Sequence, residues 1–157
     1  MSNSHTKIKV QSSFRDRSGF VFTFNKNIYR QVNTSYQEEY KYLINSALYD
    51  KLVQNTLLIP HEETPEIGFL LQGPGSTILK PEQISFISYP YEWCFNQLKD
   101  AALTTLKIQK TALDYGMSLK DASAYNIQFH KGKPILIDTL SFEKYQEGKP
   151  WVAYKQF

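Results

Sequence analysis

The sequence lacks the features of an exported, membrane-spanning or nucleic-acid-binding protein. One cysteine, Cys94, in 157 residues excludes an internal disulfide and favours a reducing compartment. No apolar run approaches the roughly 20 residues of a membrane helix, and no early stretch resembles a signal peptide. Basic residues exceed acidic ones by only 18 to 15, without a long basic block. We therefore expect a cytoplasmic protein with no membrane or nucleic-acid partner.

The apolar residues are sufficient for the core of one ordinary domain. Hydrophobic residues make up 41% of the chain and aromatic residues 15%, including 11 tyrosines and 10 phenylalanines. A chain near this length buries roughly 68–70% of its unfolded surface, so it needs no disulfide or metal to hold it together. The mixture of strand and helix patterns predicts an α+β fold.

The first part of the chain predicts a hairpin and a helix. Two β-rich runs at 20–24 and 28–32 flank a three-residue turn at 25–27. Either Thr34 or Ser35 can then cap a helix that we expect to end near residue 54. The apolar positions of this helix recur at spacings of three and four, and are Tyr36, Tyr40, Leu43, Ile44, Ala47, Leu48 and Leu52.

The middle of the chain, 57–87, contains frequent proline and glycine, which favours short strands and turns. The predicted strands are 69–71, 77–79 and 85–87. An aromatic connector at 89–93 leads into the longest predicted helix, about Glu92 to Tyr115, with Gly116 as its C-terminal cap. Its apolar stripe would be Phe95, Leu98, Ala102, Leu106, Gln109 and Leu113.

A second predicted hairpin follows the long helix. The apolar runs 127–129 and 135–137 flank a turn that we centre on Gly132. Antiparallel pairing about that glycine brings Asn126 opposite Asp138. Two oxygen-bearing side chains are then expected side by side at the open end of the hairpin.

Asp121, in the loop after the long helix, adds a third oxygen donor to this pair. Carboxylate and amide oxygens suit Mg²⁺, which keeps several waters and completes its shell with nucleotide phosphates. We therefore assign Asn126 and Asp138 to a metal ion. Asp121 is left to orient a hydroxyl nucleophile.

The segment 119–126, followed by 137–140, resembles the catalytic loop and metal-binding turn of the protein-kinase-like superfamily, especially its aminoglycoside-phosphotransferase branch. Both consist of D-x-x-x-x-N, a hairpin and an aspartate. The resemblance implies that Asp121 accepts the substrate hydroxyl proton, while Asn126 and Asp138 hold the Mg²⁺ that accompanies ATP. It also implies a small antiparallel-sheet lobe followed by the beginning of a helical large lobe.

The same resemblance implies further nucleotide contacts. No G-x-G-x-x-G occurs near the first hairpin, and the lysine expected on its second strand is absent unless Arg30 substitutes for it. Glu38 or Glu39 would be the helix partner of Arg30. The connector would act as the hinge that reads adenine, through Tyr89, Tyr91 and Glu92.

A second resemblance rests on the segments 13–19, 87–93, 98–103 and 120–129. These are similar to the N-terminal region of bacterial nodulation-protein-like and SAM-dependent methyltransferase proteins, from about residue 13 onward. In that family a methyltransferase domain lies further downstream, so SAM is expected only if such a domain is present. In this chain no strand is followed by a Gly-rich turn that opens a cofactor-binding helix.

The last residues resemble the beginning of a helix. Pro150 suits a first turn, and Trp151, Tyr154 and Phe157 recur at spacings of three. We expect the front part of a longer protein, divided into a leader (1–13), a small lobe (14–88), a hinge (89–93) and the start of a large lobe (94–157).

Each of these functional interpretations has a simpler structural alternative. Loop capping would account for Asp121 and Asn126, since both residue types bond nearby backbone in turns. Arg30 would be a solvated edge residue, and the connector rings would belong to the core. At the level of the whole chain, the alternatives to a phosphotransferase are a catalytically silent binding or scaffold module and a substrate-presenting domain of a SAM-dependent methyltransferase.

Overall fold

The computed structural model describes residues 8–9, 16–72 and 77–157. The protein is a mixed α/β protein that divides into two compact units. The first comprises the described residues up to Tyr40 together with Pro60–Gln83. The second comprises Lys41–Ile59 and Ile84–Phe157.

The first unit is built on a five-stranded antiparallel sheet. Its strands are β1 (Ile8–Lys9), β2 (Gly19–Phe24), β3 (Asn27–Val32), β4 (His61–Glu63) and β5 (Thr77–Pro81). They lie in the order β1-β2-β3-β5-β4, so β3 is an interior strand. Aromatic rings fill one side of the sheet, where Phe22 stacks on Tyr29 at a centroid distance of 5.6 Å and Phe24 meets Tyr29 edge-on.

The β2–β3 hairpin is confirmed, but its turn is shorter than predicted. Phe24 pairs with Asn27, so the turn contains two residues, Asn25 and Lys26, and β3 begins at Asn27. Both turn residues have positive φ, 49° and 65°. A two-residue turn with two left-handed residues matches the twist of the flanking strands better than a longer loop does.

The predicted helix over 34–54 is divided into two. A 3-10 turn at Thr34–Tyr36 precedes α1 (Gln37–Asn45), and α2 (Leu48–Gln54) follows a break at Ala47, whose φ is 63°. Ser46 explains the break, because its hydroxyl donates to the carbonyl of Leu43 and accepts from the amide of Leu48. Neither Thr34 nor Ser35 caps the helix, since both lie inside the 3-10 turn.

The strand predicted at 69–71 is wrong, because this run lies in α3 (Pro65–Gln72). Pro65 suits a first helical position, and the carbonyl of Thr64 accepts from the amides of Ile67 and Gly68. A short apolar run cannot by itself distinguish a strand from a helix. The strand at 77–79 is confirmed within β5, whereas 85–87 forms no strand.

The second unit contains the long helix α4 (Phe95–Asp114). It begins three residues later than predicted, where the amide of Cys94 donates to the Gln97 side chain. It ends as predicted at Gly116, which has a φ of +72°. This positive φ favours glycine, and a Cβ on Gly116 would lie 2.8 Å from the hydroxyl oxygen of Tyr42, so the end of that side chain would have to move.

The predicted stripe of α4 is wrong, apart from Gln109. The buried residues are Ala101, Thr105, Ile108, Gln109 and Ala112. Small residues allow the helix to approach the core closely, and its larger side chains are left outside, with Phe95 79% exposed. The core against which α4 packs includes Leu43, Leu48, Leu52, Leu58, Met117, Leu119, Leu136 and Phe142.

Four short strands complete the second unit. They are β6 (Met117–Leu119), β7 (Ile127–His130), β8 (Lys133–Leu136) and β9 (Phe142–Lys144). Strand β6 pairs with β9 and β7 pairs with β8, and both pairs are antiparallel. Gln109 secures β6, because its side-chain oxygen accepts from the Leu119 amide at 2.7 Å and its nitrogen donates to the Ser118 hydroxyl. This glutamine is buried, so the bonds replace water that it has lost.

The β7–β8 hairpin is confirmed with a register one residue away from the prediction. Its turn is Lys131–Gly132, both with positive φ, and Ile127 pairs with Leu136. Asn126 therefore does not face Asp138. Its carbonyl accepts from the amide of Ile137 at 2.8 Å, and Asp138 is the next residue along. The prediction centred the turn on the glycine alone and missed the second left-handed residue.

The last residues form turns at 152–155, not the predicted start of a helix. The indole nitrogen of Trp151 donates to the Leu119 carbonyl at 2.7 Å, and Ala153 is buried. Among the helices of the described residues, none has the length and apolar character needed to cross a membrane.

We predict that Gly116→Ala destabilises the protein more than Gly132→Ala. Both glycines have positive φ, +72° and +77°, but a Cβ at Gly132 meets nothing within 4 Å, whereas one at Gly116 meets Tyr42. The backbone strain, about 1–2 kcal/mol, is therefore common to both variants, and the steric clash occurs in one. Urea unfolding measures the difference. Equal losses would show that the Tyr42 contact contributes nothing.

A second prediction concerns pH. Tyr40 donates its hydroxyl proton to Glu63 at 2.7 Å, so the Nε2 of His61, 3.1 Å away, must donate to the same oxygen. Burial lowers the pKa of His61 from 6.5 to about 4. The unfolded chain therefore binds a proton between these values that the folded chain does not. We expect stability to fall as pH decreases from 6.5 to 4, by at most roughly 3 kcal/mol.

Urea midpoints at pH 7, 6 and 5 measure this loss. The control is His61→Gln, in which the slope between pH 7 and 5 should become smaller than in the unmodified chain. An unchanged slope in that variant would assign the pH dependence to other groups.

Candidate functional site

Asp121 lies in a tightly bonded loop directly after β6. The amides of Lys120 and Asp121 both donate to the carbonyl of Ser141, at 2.8 and 3.4 Å. One carboxylate oxygen of Asp121, Oδ1, accepts from the amide of Ser123 at 3.1 Å. Ser123 in turn caps a 3-10 turn, because its hydroxyl accepts from the Tyr125 amide. The loop-capping alternative therefore accounts for one of the two carboxylate oxygens of Asp121.

Asn126 is the last residue of that 3-10 turn, immediately before β7. Both of its backbone polar groups are bonded. Its amide donates to the Ser123 carbonyl, and its carbonyl accepts from the Ile137 amide. Its side-chain nitrogen lies 3.5 Å from the hydroxyl oxygen of Ser141. With the nitrogen on that side, the amide oxygen is the atom with which Asn126 can bind a cation.

Asp138 begins the turn that leads from β8 to β9. Its Oδ1 accepts from the Leu140 amide at 2.8 Å, and its carbonyl accepts from the Ser141 amide at 3.3 Å. This is the local bonding that aspartate favours in turns. It holds the carboxylate at the point where the chain turns back toward β6.

Ser141 joins the three predicted site residues. It is fully buried, and its amide, carbonyl and hydroxyl contact Asp138, Asp121 and Asn126 respectively. Ser141 therefore contacts the backbone of Asp121 and of Asp138 and the side chain of Asn126, and none of these contacts uses the predicted register. Sequence reasoning missed Ser141 itself, and its position three residues after Asp138 in a turn is the pattern that could have indicated it.

The donor set is of the kind that Mg²⁺ takes. It consists of two carboxylates and one amide, which are oxygen ligands without sulfur or imidazole. In the described part of the chain no group of three or more His, Cys, Asp or Glu residues is arranged to hold a metal by itself. A cation here would need water or phosphate oxygens to complete its shell, as Mg²⁺ with a nucleotide does.

The C-terminal segment supports the same loop. The side-chain oxygen of Gln156 accepts from the Ala122 amide at 2.6 Å, next to Asp121. Trp151 bonds the Leu119 carbonyl on the other side of that aspartate. These contacts join residues more than thirty positions apart, so no local pattern could have predicted them.

The connector has a defined structure of its own. Residues Pro90–Glu92 form a 3-10 turn, and the carboxylate of Glu92 accepts from the Tyr89 amide at 2.7 Å. The rings of Tyr89 and Tyr91 stack at 5.5 Å with an interplanar angle of 5°. Desolvation raises the pKa of Tyr91, and Glu92, Tyr89 and Tyr125 raise it further. Tyr91 is 74% exposed, so the core alternative does not apply to this ring.

The connector is fastened to β7 by a buried glutamine. Gln128 accepts from the amide of Ser88 and donates to its carbonyl, both at 3.0 Å. The Trp93 indole donates to the Ser88 hydroxyl and packs edge-on against Phe129 at 5.2 Å. The hairpin that follows Asn126 therefore holds the connector at Ser88 and at Trp93, on either side of the exposed tyrosines.

The remaining predicted residues lie in the first unit. Arg30 is in the interior strand β3 and forms an ion pair with Asp16 at 2.8 Å, so it is not a solvated edge residue. Glu38 is exposed in the first turn of α1. Glu39 is half-buried, and its Oε2 is shielded from solvent with no hydrogen-bond partner among the described residues. Asp16 was not predicted, although its charge and position before β2 could have suggested it.

Comparison with known proteins gives one informative relative. The chain is 38% identical over 150 residues to nodulation protein NoeA of Rhizobium meliloti (strain 1021). The similarity covers 95% of this chain and 31% of NoeA, so the chain spans about a third of the length of that relative. No family model matches the sequence.

We predict that Ser141→Ala loosens Asn126 while leaving the fold intact. The substitution removes the hydroxyl near the Asn126 amide but keeps the backbone contacts to Asp121 and Asp138. We expect a loss of about 0.5–1.5 kcal/mol in urea and a changed NMR environment of the Asn126 side-chain amide. Ser35→Ala, which removes an exposed hydroxyl bond to Arg17, is the control and should move neither signal. An unmoved Asn126 amide in Ser141→Ala would contradict the role given to this hydroxyl.

Proposed function

We propose that this protein is a kinase-like module that binds an Mg²⁺–nucleotide, ATP in the first instance, and that can transfer a phosphoryl group to a hydroxyl acceptor. The observation that carries the proposal is the convergence of Asp121, Asn126 and Asp138 on the buried Ser141. Ser141 holds the backbone at both aspartates and contacts the Asn126 side chain, so the loop segments that carry these three oxygen donors are fixed to one buried residue.

Each residue has a distinct proposed role. Asn126 and Asp138 would hold Mg²⁺, which neutralises charge on the phosphates. Asp121 would accept a hydrogen bond from the acceptor hydroxyl and take its proton as that oxygen bonds to the γ-phosphorus of ATP. The bond from this phosphorus to the bridging oxygen breaks in the same step, and ADP leaves. Positioning and charge neutralisation supply most of the catalysis in reactions of this type. The bond between Asp121 Oδ1 and Ser123 orients the carboxylate without requiring a second charged residue.

The order of elements supports the kinase-like interpretation. The β2–β3 hairpin, α1 with its acidic first turn, the β4–β5 pair, the aromatic connector, α4 and the Asp121 loop follow one another as that superfamily implies. The assignment of Arg30 to phosphate, with Glu38 as its helix partner, stays a prediction from the sequence. Tyr89, Tyr91 and Glu92 would contact the base.

A catalytically silent binding module is the second candidate, and two observations favour it. The charge of Arg30 is already engaged by Asp16, and the Glu92 carboxylate is already engaged by the Tyr89 amide. Both groups would have to change partners to contact a nucleotide. A third candidate is a substrate-presenting role for a SAM-dependent domain elsewhere in a longer protein. It is kept because most of NoeA lies outside the matched region.

The first experiment is a thermal-shift measurement of the chain with ATP, ADP and SAM, each with and without Mg²⁺. We expect Mg²⁺-dependent stabilisation by ATP or ADP, about 2.7 kcal/mol at a hundredfold excess over Kd. No shift with millimolar nucleotide would favour the silent module. A shift with SAM alone would contradict the proposal.

Asp138→Asn tests the metal assignment, because the amide retains the shape and the bond to Leu140 but loses the charge. We expect the Mg²⁺-dependent part of ATP affinity to fall by at least about tenfold in calorimetry. The matched control, Asp114→Asn, changes an exposed aspartate at the end of α4 and should bind as the unmodified chain does. If Asp138→Asn binds with the same Mg²⁺ dependence, the assignment is wrong.

A further inference from the structure

Both backbone polar groups of Leu119 are bonded to side chains. Neighbouring residues of an antiparallel strand point their polar groups in alternate directions. The amide of Lys120 donates to the Ser141 carbonyl across the β6–β9 pair, so the groups of Leu119 turn away from β9. The Leu119 amide donates to the Gln109 side chain and its carbonyl accepts from the Trp151 indole, both at 2.7 Å. Leu119 is fully buried, so these two side chains supply the partners that water does not.

The other side of Asp121 is held by Gln156. Ala122 is buried, and its amide donates to the side-chain oxygen of Gln156 at 2.6 Å. The next amide, that of Ser123, donates to Oδ1 of Asp121 at 3.1 Å. A planar peptide unit turns as a whole, so a bond at its nitrogen also fixes the direction of its carbonyl. Gln156 therefore fixes the peptide plane between Asp121 and Ala122, which lies inside the ring that the Ser123 bond closes.

The two side chains belong to one short segment, 151–156, whose backbone forms turns. The amide of Tyr154 donates to the carbonyl of Trp151 at 3.2 Å, and the amide of Gln156 donates to the carbonyl of Ala153 at 3.0 Å. Ala153 is buried in the hydrophobic core of the second unit, and Trp151 packs against the same core. The segment is therefore anchored between its two contacts with the Asp121 loop.

We propose that Trp151 and Gln156 are positioning residues for Asp121. They hold the backbone at Leu119 and at Ala122, on both sides of the aspartate, and thereby keep its carboxylate in one orientation. The chemical role of Asp121, acceptance of the hydroxyl proton, rests on the proposed function, which this positioning deepens. The positioning itself belongs to the chain without nucleotide and is measured there.

The experiment is backbone amide hydrogen exchange, measured by NMR on the 157-residue chain without nucleotide. Gln156→Met keeps the length of the side chain but removes the acceptor oxygen. We expect the Ala122 and Ser123 amides to exchange about threefold to tenfold faster, because a single hydrogen bond contributes a modest free energy to holding the loop closed. The reference is the amide of Leu136, which donates to the Leu57 carbonyl within the same unit and should keep its rate.

Three further variants separate the hydrogen bonds from the rest of the side chains. Gln156→Glu keeps an acceptor oxygen at the same length and should exchange within about twofold of the unmodified chain. Gln146→Met changes another exposed glutamine of the same unit and should leave both loop amides unchanged. Trp151→Phe keeps an aromatic ring but removes the indole N–H, and it should speed the exchange of Ser123 relative to Leu136.

Unchanged rates at Ala122 and Ser123 in Gln156→Met would overturn the proposal. An equal acceleration at Leu136 would also overturn it, because that is a general loss of stability and not a change of position. A third contrary result is a Gln156→Glu chain that exchanges as fast as Gln156→Met. The Mg²⁺–ATP thermal shift decides the proposed function separately. A chain that binds no nucleotide but shows the selective exchange would leave Asp121 positioned without the assigned chemistry, so the two failures are distinguishable.

Discussion

The polar loops of the second unit depend on the burial of one serine. Ser141 has no access to water, so each of its polar groups must find a partner within the protein or lose a hydrogen bond worth about 1–3 kcal/mol. Its amide, carbonyl and hydroxyl meet this requirement on three different segments, around Asp138, Asp121 and Asn126. A single buried residue therefore fixes the backbone at Asp121 and Asp138 and contacts the side chain of Asn126.

Two polar side chains of the first unit also have partners within that unit. The Arg30 guanidinium in the interior of the sheet has Asp16 beside it, and the Tyr40 hydroxyl has Glu63 and His61. A charge held this way is stable in place but not readily available to a ligand. This distinction separates the two units, because the second presents oxygen donors whereas the first has a cation that is already neutralised.

Local chemistry determined how much could be predicted from the sequence. Both hairpins were predicted because their turns contain asparagine or glycine. The first turn was predicted one residue too long, and the second was centred on Gly132 instead of between Lys131 and Gly132. The break at Ala47 was missed because the competing Ser46 side chain is ordinary in a helix sequence. Most of the buried face of α4 was missed because Ala101, Thr105 and Ala112 are small, whereas the pattern favoured the larger Phe95, Leu106 and Leu113.

The candidate site was predictable in composition but not in construction. Asp121, Asn126 and Asp138 were selected by residue type and spacing, which are visible in the sequence. Gln156 holds the loop across 34 residues and has no local pattern, and Ser141 is indicated by nothing more than its position three residues after Asp138. The register that was expected to join Asn126 to Asp138 was wrong, so their proximity has a different physical cause.

Gln109 gives the long helix a mechanical connection to the loop. Its side chain holds the amide of Leu119, which is two residues before Asp121, while its backbone belongs to α4. A sliding movement of the helix along its axis would therefore pull on the strand that leads into the loop. A shift of α4 would therefore either break the Gln109 hydrogen bonds or carry β6 with it.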